Sequence, residues 1–143
     1  MSFKFLAFLF VLHSPLSHAV TSMELRMMQT RIFETDPQSV VDAINNLCLD
    51  SDLQGGGRLT KGGIVCNGVD TKPGTIARLV FTTKSGAKIE DTETTIRIRA
   101  YLRGDYGALG DQVKDPDHYS TIFDQLAQHL FINAIPWEPP VQH

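Results

Sequence analysis

Every second position from Met23 to Phe33 (Met23, Leu25, Met27, Gln29, Arg31, Phe33) is mostly apolar, and this near-alternation predicts a strand over residues 23–33. Asp36-Pro37 follows. An Asp side chain at the N-cap accepts an otherwise orphan backbone N–H, and Pro at the first helical position gives up only a donor that would go unused there. Val40, Val41, Ile44, Leu47 and Cys48 then share one face at helical spacing, with Asp42, Asn45 and Asn46 on the other side, so the predicted helix ends near Asp50.

Gly55-Gly56-Gly57 and Gly62-Gly63 flank short β-type pieces, Arg58 to Thr60 and Ile64 to Cys66, the pattern of a loose hairpin with glycine bends. Thr71-Lys72-Pro73-Gly74 is a turn, with Pro presetting φ and Gly accepting a positive one. Residues 75–83 place Ala77, Leu79 and Phe81 on one face. After a Lys84-Ser85-Gly86 turn, residues 94–102 alternate Ile96, Ile98, Ala100 and Leu102 against Thr95, Arg97, Arg99 and Tyr101. Residues 104–110 read as a glycine-rich loop. Asp115-Pro116 then repeats the helix start, and Tyr119, Ile122, Phe123, Leu126 and Leu130 form a second stripe fading near Ala134.

The order β-α-β-β-β-β-α predicts an α+β two-layer sandwich, an antiparallel sheet of four to five strands with two helices packed on one face. Residues 20–135 form the expected single domain and residues 136–143 a Pro- and Trp-containing tail. Ahead of them, Lys4, the apolar run from Phe5 to Leu12 and Ser17-His18-Ala19 have the anatomy of a secretory signal peptide over residues 1–19. That apolar run is too short to span a bilayer, so no transmembrane span is expected in the mature chain.

Composition adds one exclusion. The 143 residues carry a formal net charge of −3, and losing Lys4 with the leader makes it −4, which argues against binding nucleic acid through its phosphates. An oxidising compartment makes a disulfide between Cys48 and Cys66 the favoured reading, with two buried thiols as the alternative.

Candidate chemistry is sparse. His118 and His129 lie eleven residues apart on the second helix, about 16 Å along its axis, too far to share a metal. His118 beside Asp115 and Asp117 could serve as the base of a small hydrolase, but no nucleophile stands at suitable spacing. The Gly55–Gly63 stretch lacks the Gly-Lys-Ser/Thr of a phosphate cradle, and Arg103-Gly104-Asp105 is too short a match to an adhesion tripeptide to carry weight. No catalytic, cofactor-binding or metal-binding residue is assigned.

The more informative feature is a positive stripe, Arg97, Arg99 and Tyr101 with Arg78 on the neighbouring strand and Arg103 at the end, which is either a solvated sheet face balanced by Glu90, Asp91 and Glu93 or a surface suited to bidentate contacts with carboxylate or phosphate. Trp137, set among Pro136, Pro139 and Pro140, is either an aromatic docking arm or a ring folded back onto its own domain.

Arg26-Met27-Met28-Gln29-Thr30-Arg31-Ile32-Phe33-Glu34-Thr35 followed by an Asp-Pro helix resembles the start of a family of short exported Gram-negative periplasmic and outer-membrane proteins, many of them lipoproteins. Asp115-Pro116-Asp117-His118-Tyr119 leading to Phe123, Leu126, Leu130 and Phe131 is similar to that family's closing helix. The resemblance implies a periplasmic location, association with the outer membrane, and relatives among accessory proteins of the type IVB secretion outer-membrane core. It implies no catalytic residues. This chain departs from the family in having no lipid-bearing Cys after its leader.

The expected function is therefore non-catalytic docking through sheet edges and the Trp137 tail, as an accessory subunit of an envelope-spanning assembly with envelope protein partners such as outer-membrane lipoproteins. The alternative is a binding module for peptidoglycan or anionic lipid headgroups using the arginine-rich face.

Overall fold

Asp36 and Asp115 start the two long helices as their sequence signals require. In the computed structural model, which describes residues 19–55, 63–84, 87–88 and 90–141, each precedes a proline and accepts a backbone N–H with its side chain. The expected leader and residues 58–60 of the expected hairpin lie outside the described residues. In chain order the elements are α1 (Ser22–Met28), β1 (Thr30–Phe33), α2 (Pro37–Asp50), β2 (Leu53–Gly55), β3 (Ile64–Gly68), β4 (Ile76–Thr83), β5 (Thr94–Arg103), a short 3-10 turn (Asp105–Gly107), β6 (Leu109–Gln112), α3 (Pro116–Leu130) and β7 (Ile135–Pro136).

The fold is α+β, with one antiparallel sheet of order β2-β3-β4-β5-β1-β7 and β6 paired to β5. Among the described residues it is seven-stranded, larger than the alternation predicted, and three helices rather than two accompany it. Phe33, Ile64, Cys66, Leu79, Phe81, Ile96, Ile98 and Ala100 line one face of the sheet. They bury against Val40, Ile44 and Leu47 of α2 and Tyr119, Ile122, Phe123 and Leu126 of α3. At roughly 25 cal/mol per Å2 of apolar surface removed from water, this layer dominates the stability.

Four expectations need correction. The strand over residues 23–33 is a helix up to Met28 and a strand only from Thr30. Thr21 and Glu24 form a capping box, with the Thr21 hydroxyl accepting from the Glu24 N–H and the Glu24 carboxylate from the Thr21 N–H, and this local bonding overrides the alternation. The 104–110 loop is interrupted by the 3-10 turn and enters β6 at Leu109. Helix α3 stops at Leu130, not near Ala134, because Phe131 turns left-handed with φ 58°. Pro136, assigned to the tail, pairs with Arg31 in β7.

The Cys48–Cys66 disulfide is present, joining α2 to β3 with both sulfurs in the core. The turn before β4 closes with the Thr75 N–H donating to Lys72 O at 3.3 Å, and Gly74 supplies the positive φ of 87°. Gly68 is required for a different reason. A Cβ there would lie 1.9 Å from Ile76 O on the adjoining strand.

Candidate functional site

Strand β5 organises the site because its two edges are treated differently. Along one edge β4 pairs with it from Ile96 to Leu102. The other edge is shared, with β1 covering Thr94–Arg97 and β6 covering only Tyr101 and Arg103. The gap between β1 and β6 is bridged by two backbone bonds, Ile98 N–H to Gln29 O at 2.8 Å and Val113 N–H to Ala100 O at 2.7 Å, and by side chains. The Ala100 N–H donates to the Tyr119 hydroxyl at 3.3 Å, and that hydroxyl donates to Val113 O at 2.6 Å. Gln29 is fully buried there, its Nε2 donating to Tyr119 Oη at 2.9 Å and to Gln112 Oε1 at 2.8 Å. Burial pushes the Tyr119 phenol above its ordinary pKa, opposed in part by the Gln29 hydrogen bond, so it stays neutral as a hydrogen-bond relay.

The remaining oxygen of Gln29 carries this plug to the open face of the sheet. Gln29 Oε1 accepts from Arg97 Nε at 3.0 Å, tethering that guanidinium. Arg97 and Arg99 alternate with the buried Ile96, Ile98 and Ala100, so both project from the face opposite the helices. Arg26, delivered by α1, lies close enough that its charge acts on Arg97. Burial first, then Arg99 and Arg26, push the Arg97 guanidinium below its ordinary pKa. Arg26 is itself placed by the tail, its Cζ lying 5.3 Å from the centroid of the half-buried Trp137 ring.

The other sequence candidates separate by what holds them. Tyr101 is half-buried on β5 opposite Arg78 of β4, and the exposed Arg78 donates through Nε to Asn67 Oδ1 at 3.0 Å. Arg103 is engaged at every edge of its guanidinium, with Nε on Asp70 O at 3.2 Å, Nη1 on Gly107 O at 3.1 Å and Nη2 on Gly68 O at 2.9 Å. It clamps the loops at that end of the sheet, and the Arg-Gly-Asp tripeptide containing it does not present a free arginine. Arg99 differs from all of these, because its Nε is buried and has no hydrogen-bond partner. Among the described residues no carboxylate forms an ion pair with Arg97 or Arg99.

Sequence reasoning missed Arg26 and Gln29. The capping box at Thr21 would have exposed the first by placing it on a helix, whereas nothing local marks Gln29 as buried. The histidines stay apart: His129 Nε2 meets Asp50 Oδ2 at 3.2 Å, and the His118 backbone N–H donates to Asp115 O in the first turn of α3. Among the described residues no group of three or more His, Cys, Asp or Glu could hold a metal ion. No described helix is long and apolar enough to cross a membrane. A shallow groove of about 920 Å3 lies between the end of α2 and the β3–β4 turn, lined by Leu49, Asp52, Leu53, Val69, Asp70 and Ile76. No family model, curated protein or solved structure matches this chain.

Proposed function

We propose that this chain is an exported, non-catalytic docking protein of the Gram-negative envelope, an accessory subunit that seats the open face of its sheet on another protein of an envelope-spanning assembly. The observation that carries this reading is the pair Arg97 and Arg99 on the sheet face opposite α2 and α3, with Arg26 of α1 near enough for its charge to act on Arg97. Among the described residues Arg97 and Arg99 have no carboxylate paired with them, so their charges repel, and an acidic surface relieves that cost. The disulfide supports an extracytoplasmic location, since such bonds persist in oxidising compartments. The resemblance of residues 26–35 and 115–131 to exported outer-membrane-associated proteins adds the type IVB secretion outer-membrane complex as the assembly to examine first.

Gentle detergent extraction of envelopes followed by size separation tests the reading. The protein is expected in a high-mass species and is expected to leave it when Arg97 and Arg99 are both changed to Glu. A protein found only as a free monomer in every envelope fraction would refute it.

A second reading, binding to peptidoglycan or anionic headgroups, is favoured by the half-buried aromatics Tyr101 and Trp137 beside the cations, an interfacial pairing of ring and charge. Sedimentation with purified sacculi or phosphatidylglycerol vesicles, abolished by Arg97→Ala with Arg99→Ala, would favour that reading over the first.

A further inference from the structure

The arginines of this face are not equivalent, and their differences narrow what it receives. Nε of Arg78 is taken by Asn67, Nε of Arg97 by Gln29, and Nε of Arg103 by the Asp70 carbonyl. Arg99 alone among them keeps a buried, unpartnered Nε–H. The end of a guanidinium formed by its two Nη groups is a two-pronged donor that matches the two oxygens of a carboxylate. The Arg99 Nε–H is closed to solvent and so to a ligand oxygen, while among the described residues no hydrogen bond occupies its Nη end, so a carboxylate meets Arg99 end-on.

Building on the docking reading, we propose that Arg99 is the anchor for a carboxylate of an acidic segment of the partner protein, laid in extended form along β5, with Arg97 and Arg26 receiving its flanking negative charge. Spacing supports the extended form. Arg97 and Arg99 stand two residues apart on one strand, about 7 Å, which is also the distance between alternate side chains of an extended peptide. Val80 and Thr82, the half-buried partners of Arg99 and Arg97 on β4, provide a low floor beside the cations, so a chain can lie flat there.

Charge complementarity selects a polypeptide segment over a membrane. The whole chain is net negative, so an anionic bilayer approaching this side meets repulsion from the rest of the molecule. A single extended strand can reach the cationic row without bringing a broad anionic plane with it.

The test uses the mature, oxidised protein and a short fluorescent oligo-glutamate peptide, read by fluorescence anisotropy at low and at physiological salt. The parent is expected to bind. Arg99→Gln is expected to weaken binding about tenfold to a hundredfold, as loss of a charge-assisted forked contact implies. Arg99→Lys, which restores the charge but not the fork, is expected to recover only part of the loss. Lys114→Gln, removing one exposed charge between β6 and α3, is the control expected to bind as the parent does. Unchanged melting temperatures show that each variant is folded.

Binding that survives Arg99→Gln overturns the proposal. So does a parent that sediments with phosphatidylglycerol vesicles and ignores the peptide. If the peptide result is negative while the envelope complex still forms, docking stands and this occupant falls. If the protein is monomeric in the envelope, docking itself falls whatever the peptide shows.

Discussion

Changing Tyr119 to Phe removes one oxygen atom and leaves the ring in the core, so its effect isolates the plug between β1 and β6. Three partners lose a contact: Val113 O at 2.6 Å, Gln29 Nε2 at 2.9 Å and the Ala100 N–H at 3.3 Å. Gln29 Nε2 keeps its bond to Gln112, so its loss is small. The Val113 carbonyl and the Ala100 N–H are left in a gap where no strand pairs, and each stranded buried group costs about 1–2 kcal/mol. The expected total is about 3 kcal/mol, or roughly 10 °C in melting temperature for a domain of this size. Urea unfolding followed by circular dichroism measures it, with an unchanged m-value showing that the unfolded state is unaltered. A double-mutant cycle with Gln29→Met is expected to show about 1 kcal/mol of coupling. If Tyr119→Phe costs less than about 0.5 kcal/mol, the hydroxyl does not replace a strand and the account of the gap is wrong.

The same hydroxyl sets an alkaline limit. Its folded pKa lies above the ordinary value of 10.0, so on raising the pH the unfolded chain loses its proton first. Stability then falls above about pH 10, a decline that Tyr119→Phe is expected to reduce when melts are compared across that range. At the acid end, hydrogen bonds from Ser39 lower the Asp36 pKa, so its contribution is present above the ordinary value of 3.8 and is lost as pH falls through the lower folded value; Asp36→Asn is expected to flatten that part of the acid titration. Replacing Cys48 and Cys66 by Ala opens a loop with a sequence separation of 18 and is expected to cost about 3 kcal/mol in urea unfolding. Gly68→Ala, which drives a Cβ into Ile76 O, is expected to lower the melting temperature sharply. Gly104→Ala, whose nearest contact would be 3.6 Å away, is expected to change it little, and equal effects would contradict the packing described for β3 and β4.

What was legible in the chain follows from where the determining contacts lie. Helices α2 and α3 could be read because an Asp-Pro start and an apolar stripe are both local, and β4 and β5 because alternation over eight or more residues leaves little ambiguity. The error over residues 23–33 came from Met23, Leu25 and Met27, whose spacing of two imitates a strand while Thr21 and Glu24 fix a helix. Strands β6 and β7 are too short to show a period. Leu109–Gln112 and Ile135–Pro136 are strands only because β5 and β1 offer them edges. Arg97 and Arg99 were visible by parity. Gln29 was not, because a polar residue at zero exposure is defined by partners 68, 83 and 90 residues away.

The edges of this sheet are poor places for a partner to add a strand, which turns the docking question toward its face. At one end β2 offers three residues, at the other β7 offers two, of which Pro136 has no N–H to donate, and β6, paired only to β5, offers four. Trp137, just beyond it, is held beside Arg26 instead of projecting as a free arm. The tail therefore blunts an edge and positions a cation at once, and under the docking proposal the contact falls to the face between edges and tail. If that division holds, Trp137→Ala should act on partner binding through Arg26. Its effect on the affinity of the acidic peptide should largely vanish once Arg26 is already Gln, and two independent, additive losses would show that the ring makes its own contact with the partner.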